Sequence, residues 1–153
     1  MSGSSPVSRL PFSETIARTP EETETLGERL ARTLSSSDVV YLVGELGAGK
    51  TTLARGLARG LGALPREVAS PTFALLHEYA GSGGSIVLRH LDLYRLADEA
   101  SDLAVLGLPE AVAGAPVCVE WPGKAVRRLL PPTVEVTIRA EPDETRRVRV
   151  ARA

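Results

Sequence analysis

The sequence predicts an α/β fold of three layers, with helices on both faces of a mixed parallel and antiparallel sheet. Three observations carry this. The short apolar runs "VVYLV" (39–43) and "APVCVEW" (115–121) have the character of strands covered on both sides. Amphipathic helical stretches lie between the strand candidates. Near the end, "TVEVTIRA" and "TRRVRVARA" alternate apolar and polar residues across "EPDE", the pattern of an antiparallel hairpin with one wet face.

Residues 1–18 begin "MSGSSPVSRLPF", small, polar and proline-punctuated, and read as a flexible N-terminal segment. Residues 19–153 read as a single domain. "TPEETETLGERLARTL" (19–34) predicts a helix: Thr19 caps, Pro20 suits the first turn, and Glu21, Glu22 and Glu24 oppose the helix dipole. Leu26, Leu30, Ala31 and Leu34 form its apolar stripe. "VVYLV" follows as a strand. "KTTLARGLARGLG" places Leu53, Leu57 and Leu61 at helical spacing and stops at Gly62. "TFALLHEY" (72–79) and "IVLRHLDLY" (from Ile86) read as a hairpin around "AGSGGS", and residues 98–112 as one or two helices. "APVCVEW" is the second buried strand, and the terminal hairpin closes the domain.

Composition narrows the function. A formal net charge of −1 supplies no global field for bare nucleic acid. The basic residues are 16 Arg and 2 Lys, and 7 of the arginines lie from Arg127 onward, diluted there by acids. Cys118 has no disulfide partner, and His77 and His90 have no metal-ligand companions in sequence. No apolar stretch approaches membrane length, and the first residues lack a signal-type core. The expectation is a reduced, cytoplasmic setting away from membranes.

One segment carries chemistry. Gly44-x-x-x-x-Gly49-Lys50-Thr51, between an apolar strand and an amphipathic helix, matches the P-loop pattern in its confirming context. Wrapping a polyphosphate needs backbone N–H groups at close range, so Gly44, Gly47 and Gly49 supply conformations and clearance that a Cβ blocks. The helix that follows offers unpaired N–H groups and its positive dipole end. In a chain that otherwise uses arginine, Lys50 is the compact ammonium that reaches β and γ oxygens. Thr51 offers a hydroxyl to Mg²⁺. A nucleoside triphosphate with Mg²⁺ is the expected ligand, and the fold expected is a P-loop NTPase.

Such a site needs a metal-side acid at a neighbouring strand end. Asp92 and Glu120 both qualify, as metal partners or as groups that orient the attacking water. The chain contains neither Asn nor Gln, so a carboxylate is the simplest group for that water. Thr72 of "SPTF" has the place of a switch threonine, or forms an ordinary turn.

Together "GELGAGKTT", "SPTF", "HLDLYRL" and "VEWPGK" resemble the TsaE family, bacterial P-loop ATPases of tRNA threonylcarbamoyladenosine synthesis, from about Thr19 to Pro131. The resemblance implies that Gly47, Ala48, Gly49, Lys50, Thr51 and Thr52 hold ATP, with Thr51 and Glu120 on Mg²⁺. It implies that Asp92 is the residue most needed for hydrolysis. Trp121 would lie near the nucleotide, and Thr19 and Thr23 near the adenine edge. The implied partners are TsaB and TsaD, with tRNA met through that complex, and ATP turnover permits repeated rounds. Residue type alone leaves Trp121 between core and base stacking, His90 between core and site, and Lys124 between surface and phosphate contact. Tyr94 and Arg95 stand between partner contact and structural anchor. Two other functions share the P-loop: a nucleotide-gated binding module with little turnover, and a small metabolite kinase. The kinase is disfavoured because no Arg-bearing lid interrupts the central strands.

Overall fold

The computed structural model describes residues 10–65, 76–94, 107–108 and 110–153. Its strands are β1 (Glu14–Ala17), β2 (Val39–Val43), β3 (Leu76–Ala80), β4 (Ile86–Asp92), β5 (Val117–Glu120), β6 (Val134–Ala140) and β7 (Arg146–Arg152). Its α-helices are α1 (Pro20–Ala31), α2 (Lys50–Gly60) and α3 (Lys124–Leu129). The strands form one sheet in the order β1-β7-β6-β2-β5-β4-β3. β2 pairs in parallel with both β5 and β6, and β4 in parallel with β5. The β3–β4, β6–β7 and β1–β7 pairs are antiparallel. The expected mixed sheet and both expected hairpins are present.

Alternation along β2 divides the core. Val40 and Leu42 pack with Leu26 and Leu30 of α1 and with Leu53 and Leu57 of α2 on one face. Val39 and Tyr41 pack on the other face with Ala125 and Val126 of α3 and with Leu108 and Val112. The Tyr41 hydroxyl donates to the Leu130 carbonyl at 2.7 Å, which anchors the end of α3. Burial pushes that phenol up to about 12.

α1 starts as its sequence dictates: Thr19 Oγ1 accepts the Glu22 amide at 3.1 Å, and Pro20 occupies the first turn. Glycine sets how closely α1 meets α2. A Cβ on Gly56 would lie 2.0 Å from the Glu24 carbonyl oxygen, and one on Gly27 would lie 2.4 Å from that of Leu53. The two backbones touch, so α1 holds a fixed place beside the start of α2.

Two elements depart from expectation. The described part of the segment read as flexible is tied down: Leu10 and Phe12 pack on the core, and Glu14–Ala17 form β1. The physical reason is the free edge of β7, whose unpaired backbone groups take β1 as a third antiparallel strand on the hairpin side of the sheet. α3 was not expected, because "KAVRRL" lies between Pro122 and Pro131 and its N-cap Gly123 makes no side-chain cap. Thr72–Phe73 and most of the 98–112 segment lie outside the described residues; Glu110–Val112 form a short 3₁₀ turn.

Candidate functional site

The carboxyl ends of three parallel strands meet at one crevice. Leu42 of β2 is in register with Glu120 of β5, and Glu120 with Asp92 of β4. Ligands of α/β sheets lie beyond such strand ends. The loop from Gly44 leaves β2 here and enters α2. Gly47 at φ 82° and Gly49 at φ 112° adopt backbone that side chains rarely take. Gly49 is the N-cap, so no side chain occupies the first amides of α2, and that helix end stays available to an anion.

Lys50 is buried, its ammonium donating to the carbonyls of Gly44 and, at 3.0 Å, of Glu45. Burial lowers its pKa, opposed by the charges of Glu120 and Asp92. The Trp121 ring covers it, with Nζ 3.9 Å from the ring centroid. Trp121 holds φ at 59°, a left-handed conformation that costs a non-glycine residue about 1–3 kcal/mol. Tyr94 leans on the same ring at 4.9 Å between centroids.

Thr51 Oγ1 lies 3.3 Å from both Glu120 carboxylate oxygens. Glu120 is buried and accepts from His90 Nε2 at 2.6 Å. Asp92 lines the same cavity, and its Oδ1 accepts the Tyr94 amide at 3.1 Å.

Two cavities flank the loop. The smaller, about 280 Å³, is lined by Leu46, Lys50, Thr51, Asp92, Tyr94, Glu120 and Trp121. The larger, about 510 Å³, is lined by Ala17, Arg18, Thr19, Pro20, Thr23, Glu144 and Arg146. Gly47, Gly49 and Thr52 border both. The two cavities meet across the loop. Among the described residues no trio of His, Cys, Asp and Glu could hold a metal unaided. Mg²⁺ does not need one: it takes one or two protein oxygens and completes its shell with phosphate and water. Thr51 Oγ1 and the Glu120 carboxylate form such a pair of hard oxygens.

Of the residues singled out in the sequence, Gly47, Gly49, Lys50, Thr51, Thr52, Asp92, Glu120 and Trp121 border the smaller cavity, and Thr19 and Thr23 the larger. Gly44 holds Lys50, and Ala48 is buried with its carbonyl accepting from Arg146 Nε at 3.0 Å. Trp121 borders the smaller cavity, over the lysine. Thr72 and Arg95 lie outside the described residues. Lys124 is an exposed residue that begins α3. Arg146 was missed. It opens β7, and the β2–β6 pairing that brings the hairpin against the loop has no local sequence signal. His90 is both things at once, buried in the core and bonded to the site.

The family model described as "Threonylcarbamoyl adenosine biosynthesis protein TsaE" matches residues 17–148, a span that contains every residue lining both cavities. The chain belongs to the TsaE family. The tRNA threonylcarbamoyladenosine biosynthesis protein TsaE of Bacillus subtilis is 40% identical over 130 residues, covering 84% of this chain and 78% of that one. The protein of the same name from Treponema pallidum is 39% identical over 137 residues, covering 89% and 98%. The crystal structure of Bacillus subtilis YdiB superposes with a TM-score of 0.66 at 29% identity, covering 92% of this chain and 85% of that one. With the mixed sheet described above, the TsaE-family fold is α/β and P-loop NTPase-like. No helix among the described residues is long and apolar enough to cross a membrane.

Proposed function

We propose that this protein binds and hydrolyses ATP with Mg²⁺ as a component of the system that makes tRNA N6-threonylcarbamoyladenosine at position 37, acting with TsaB and TsaD in the cytoplasm. The observation that carries the proposal is the meeting of Thr51 with Glu120 beneath the glycine loop, with Asp92 one strand away.

The chain's own groups divide the work. The amides at the start of α2 and of the glycine loop take the phosphate oxygens. Lys50 exchanges its bonds to the Gly44 and Glu45 carbonyls for β and γ oxygens, which recovers the charge partner that burial denies it. Thr51 and Glu120 would hold Mg²⁺, which when bound neutralises charge developing on the phosphates. Asp92 faces the same compartment and orients a water or accepts its proton. Trp121 and Tyr94 roof the lysine side and limit water access. The larger cavity takes the nucleoside between Thr19, Thr23 and Arg146.

Among the described residues, Leu46, 70% exposed, and Tyr94, 49% exposed, are the large apolar residues left open to solvent, and both line the smaller cavity. This supports a site whose occupancy is read by a docked protein, with slow turnover when alone. The test mixes purified protein with TsaB, TsaD, tRNA and ATP. Multiple-turnover modification that needs both this protein and hydrolysable ATP is the expected result. Equal turnover with a non-hydrolysable analogue favours the nucleotide-gated binding module, and ATP use proportional to an added metabolite favours a kinase.

A further inference from the structure

His90 is 1% exposed, in the cluster of groups beneath the glycine loop. On β4 it shares a face with Asp92, two residues on, and on β5 Cys118 and Glu120 share that same face. The register sets His90 opposite Cys118 and Asp92 opposite Glu120, so His90 and Glu120 are diagonal neighbours within reach of a long side chain. The 2.6 Å contact between His90 Nε2 and Glu120 Oε2 closes that diagonal. A carboxylate only accepts, so Nε2 carries the proton and donates.

The surroundings of His90 do not call for a polar residue. Its neighbours Leu88 and Cys118 belong to the apolar core. Its Nδ1 is buried and has no partner among the described residues. A buried polar atom without a partner is destabilising, so an aliphatic side chain there packs at least as well. What an aliphatic side chain lacks is the donor to Glu120. Carboxylates that ligate metals are held by such donors, and loss of one typically weakens metal affinity 10- to 100-fold.

We infer that His90 is a positioning residue for Glu120: its Nε2–H fixes one carboxylate oxygen and keeps the group turned toward Thr51 and the magnesium of the bound nucleotide. The inference rests on the reading of Glu120 as the metal-side acid.

The test measures binding of a fluorescent, non-hydrolysable ATP analogue by anisotropy, in EDTA and across a magnesium titration. His90→Leu is expected to raise the magnesium concentration at half-effect about 10-fold, with affinity in EDTA within about twofold of the parent. His90→Gln, whose amide reaches the same oxygen, is expected to recover most of the difference. An unchanged half-effect in His90→Leu overturns the inference, as does an equal loss in EDTA, which marks packing alone. If the leucine variant does not fold, the parent chain decides with isotope-labelled histidine. The His90 Nε2–H resonance is expected to shift when magnesium joins the nucleotide-saturated protein, and a stationary resonance overturns the inference. The parent reading fails separately: there, magnesium leaves binding unchanged in the parent chain and in Glu120→Gln alike.

Discussion

The hydroxyl of Thr51 stands 3.3 Å from each carboxylate oxygen of Glu120, across 69 residues of chain. One residue lies in the first turn of α2 and the other ends β5, so the contact couples the glycine loop to the next strand of the sheet. Thr51→Ala and Glu120→Gln are each expected to leave nucleotide affinity in EDTA nearly unchanged. Both should remove most of the strengthening that magnesium brings. Calorimetry with and without the metal checks this.

Asp92 faces the same compartment without bonding to Thr51 or Lys50. Asp92→Ala is therefore expected to bind ATP with near-parental affinity and to hydrolyse it about 100-fold or more slowly, the range for loss of a positioned acid or base. Phosphate release under saturating ATP measures this directly.

Lys50→Ala should fail earlier, at binding. Among the described residues lining the smaller cavity Lys50 is the one cation, and Arg146 is engaged with the Ala48 carbonyl behind the loop. Affinity for ATP is expected to fall by about tenfold or more, as for loss of a charge-assisted contact of about 1.5–3 kcal/mol. Fluorescence titration with a labelled nucleotide reads it.

Gly56→Ala tests the α1–α2 contact. In an isolated helix the change favours helix formation by about 1 kcal/mol. Here the new methyl meets the Glu24 carbonyl oxygen at 2.0 Å, and backbone must move. Overpacking of about 1–3 kcal/mol outweighs the helical gain, and thermal unfolding should occur several degrees lower. Nucleotide affinity should fall as well, because α1 carries Thr19 and Thr23 on the larger cavity.

Glu14 gives a pH dependence with a definite sign. Its hydrogen bond from Arg147 holds its carboxyl below the ordinary value of 4.5. A carboxyl lowered by folding contributes stability above its unfolded pKa and loses it as pH falls through the folded one. Protection of the β1 amides, measured against their intrinsic exchange rates, is expected to fall in that acid range before protection of β2 does. Glu14→Gln should make the protection of β1 insensitive to pH there.

The centre of the fold was legible because its local chemistry has few solutions. A glycine cluster with Lys50 demands a strand before it and a helix after it, and Thr19-Pro20 announces α1. Alternation in β6 and β7 declared their hairpin. The rest depended on contacts distant in sequence. β1 is four residues, too short to show a period, and exists because β7 offers an edge. α3 is six residues without a side-chain cap, held by the Tyr41 hydroxyl on the Leu130 carbonyl. Arg146 reaches the glycine loop because β6 pairs with β2, and His90 meets Glu120 because β4 and β5 are parallel in one particular register.

The central claim is that a triphosphate and its cation are held between the glycine loop and Glu120. A crystal grown with Mn²⁺ and a non-hydrolysable ATP analogue tests it, with the anomalous signal locating the metal. The account predicts one strong peak in contact with Thr51 Oγ1, the Glu120 carboxylate and the β and γ phosphates. A peak remote from both side chains, or a triphosphate bound away from residues 44–52, would contradict it.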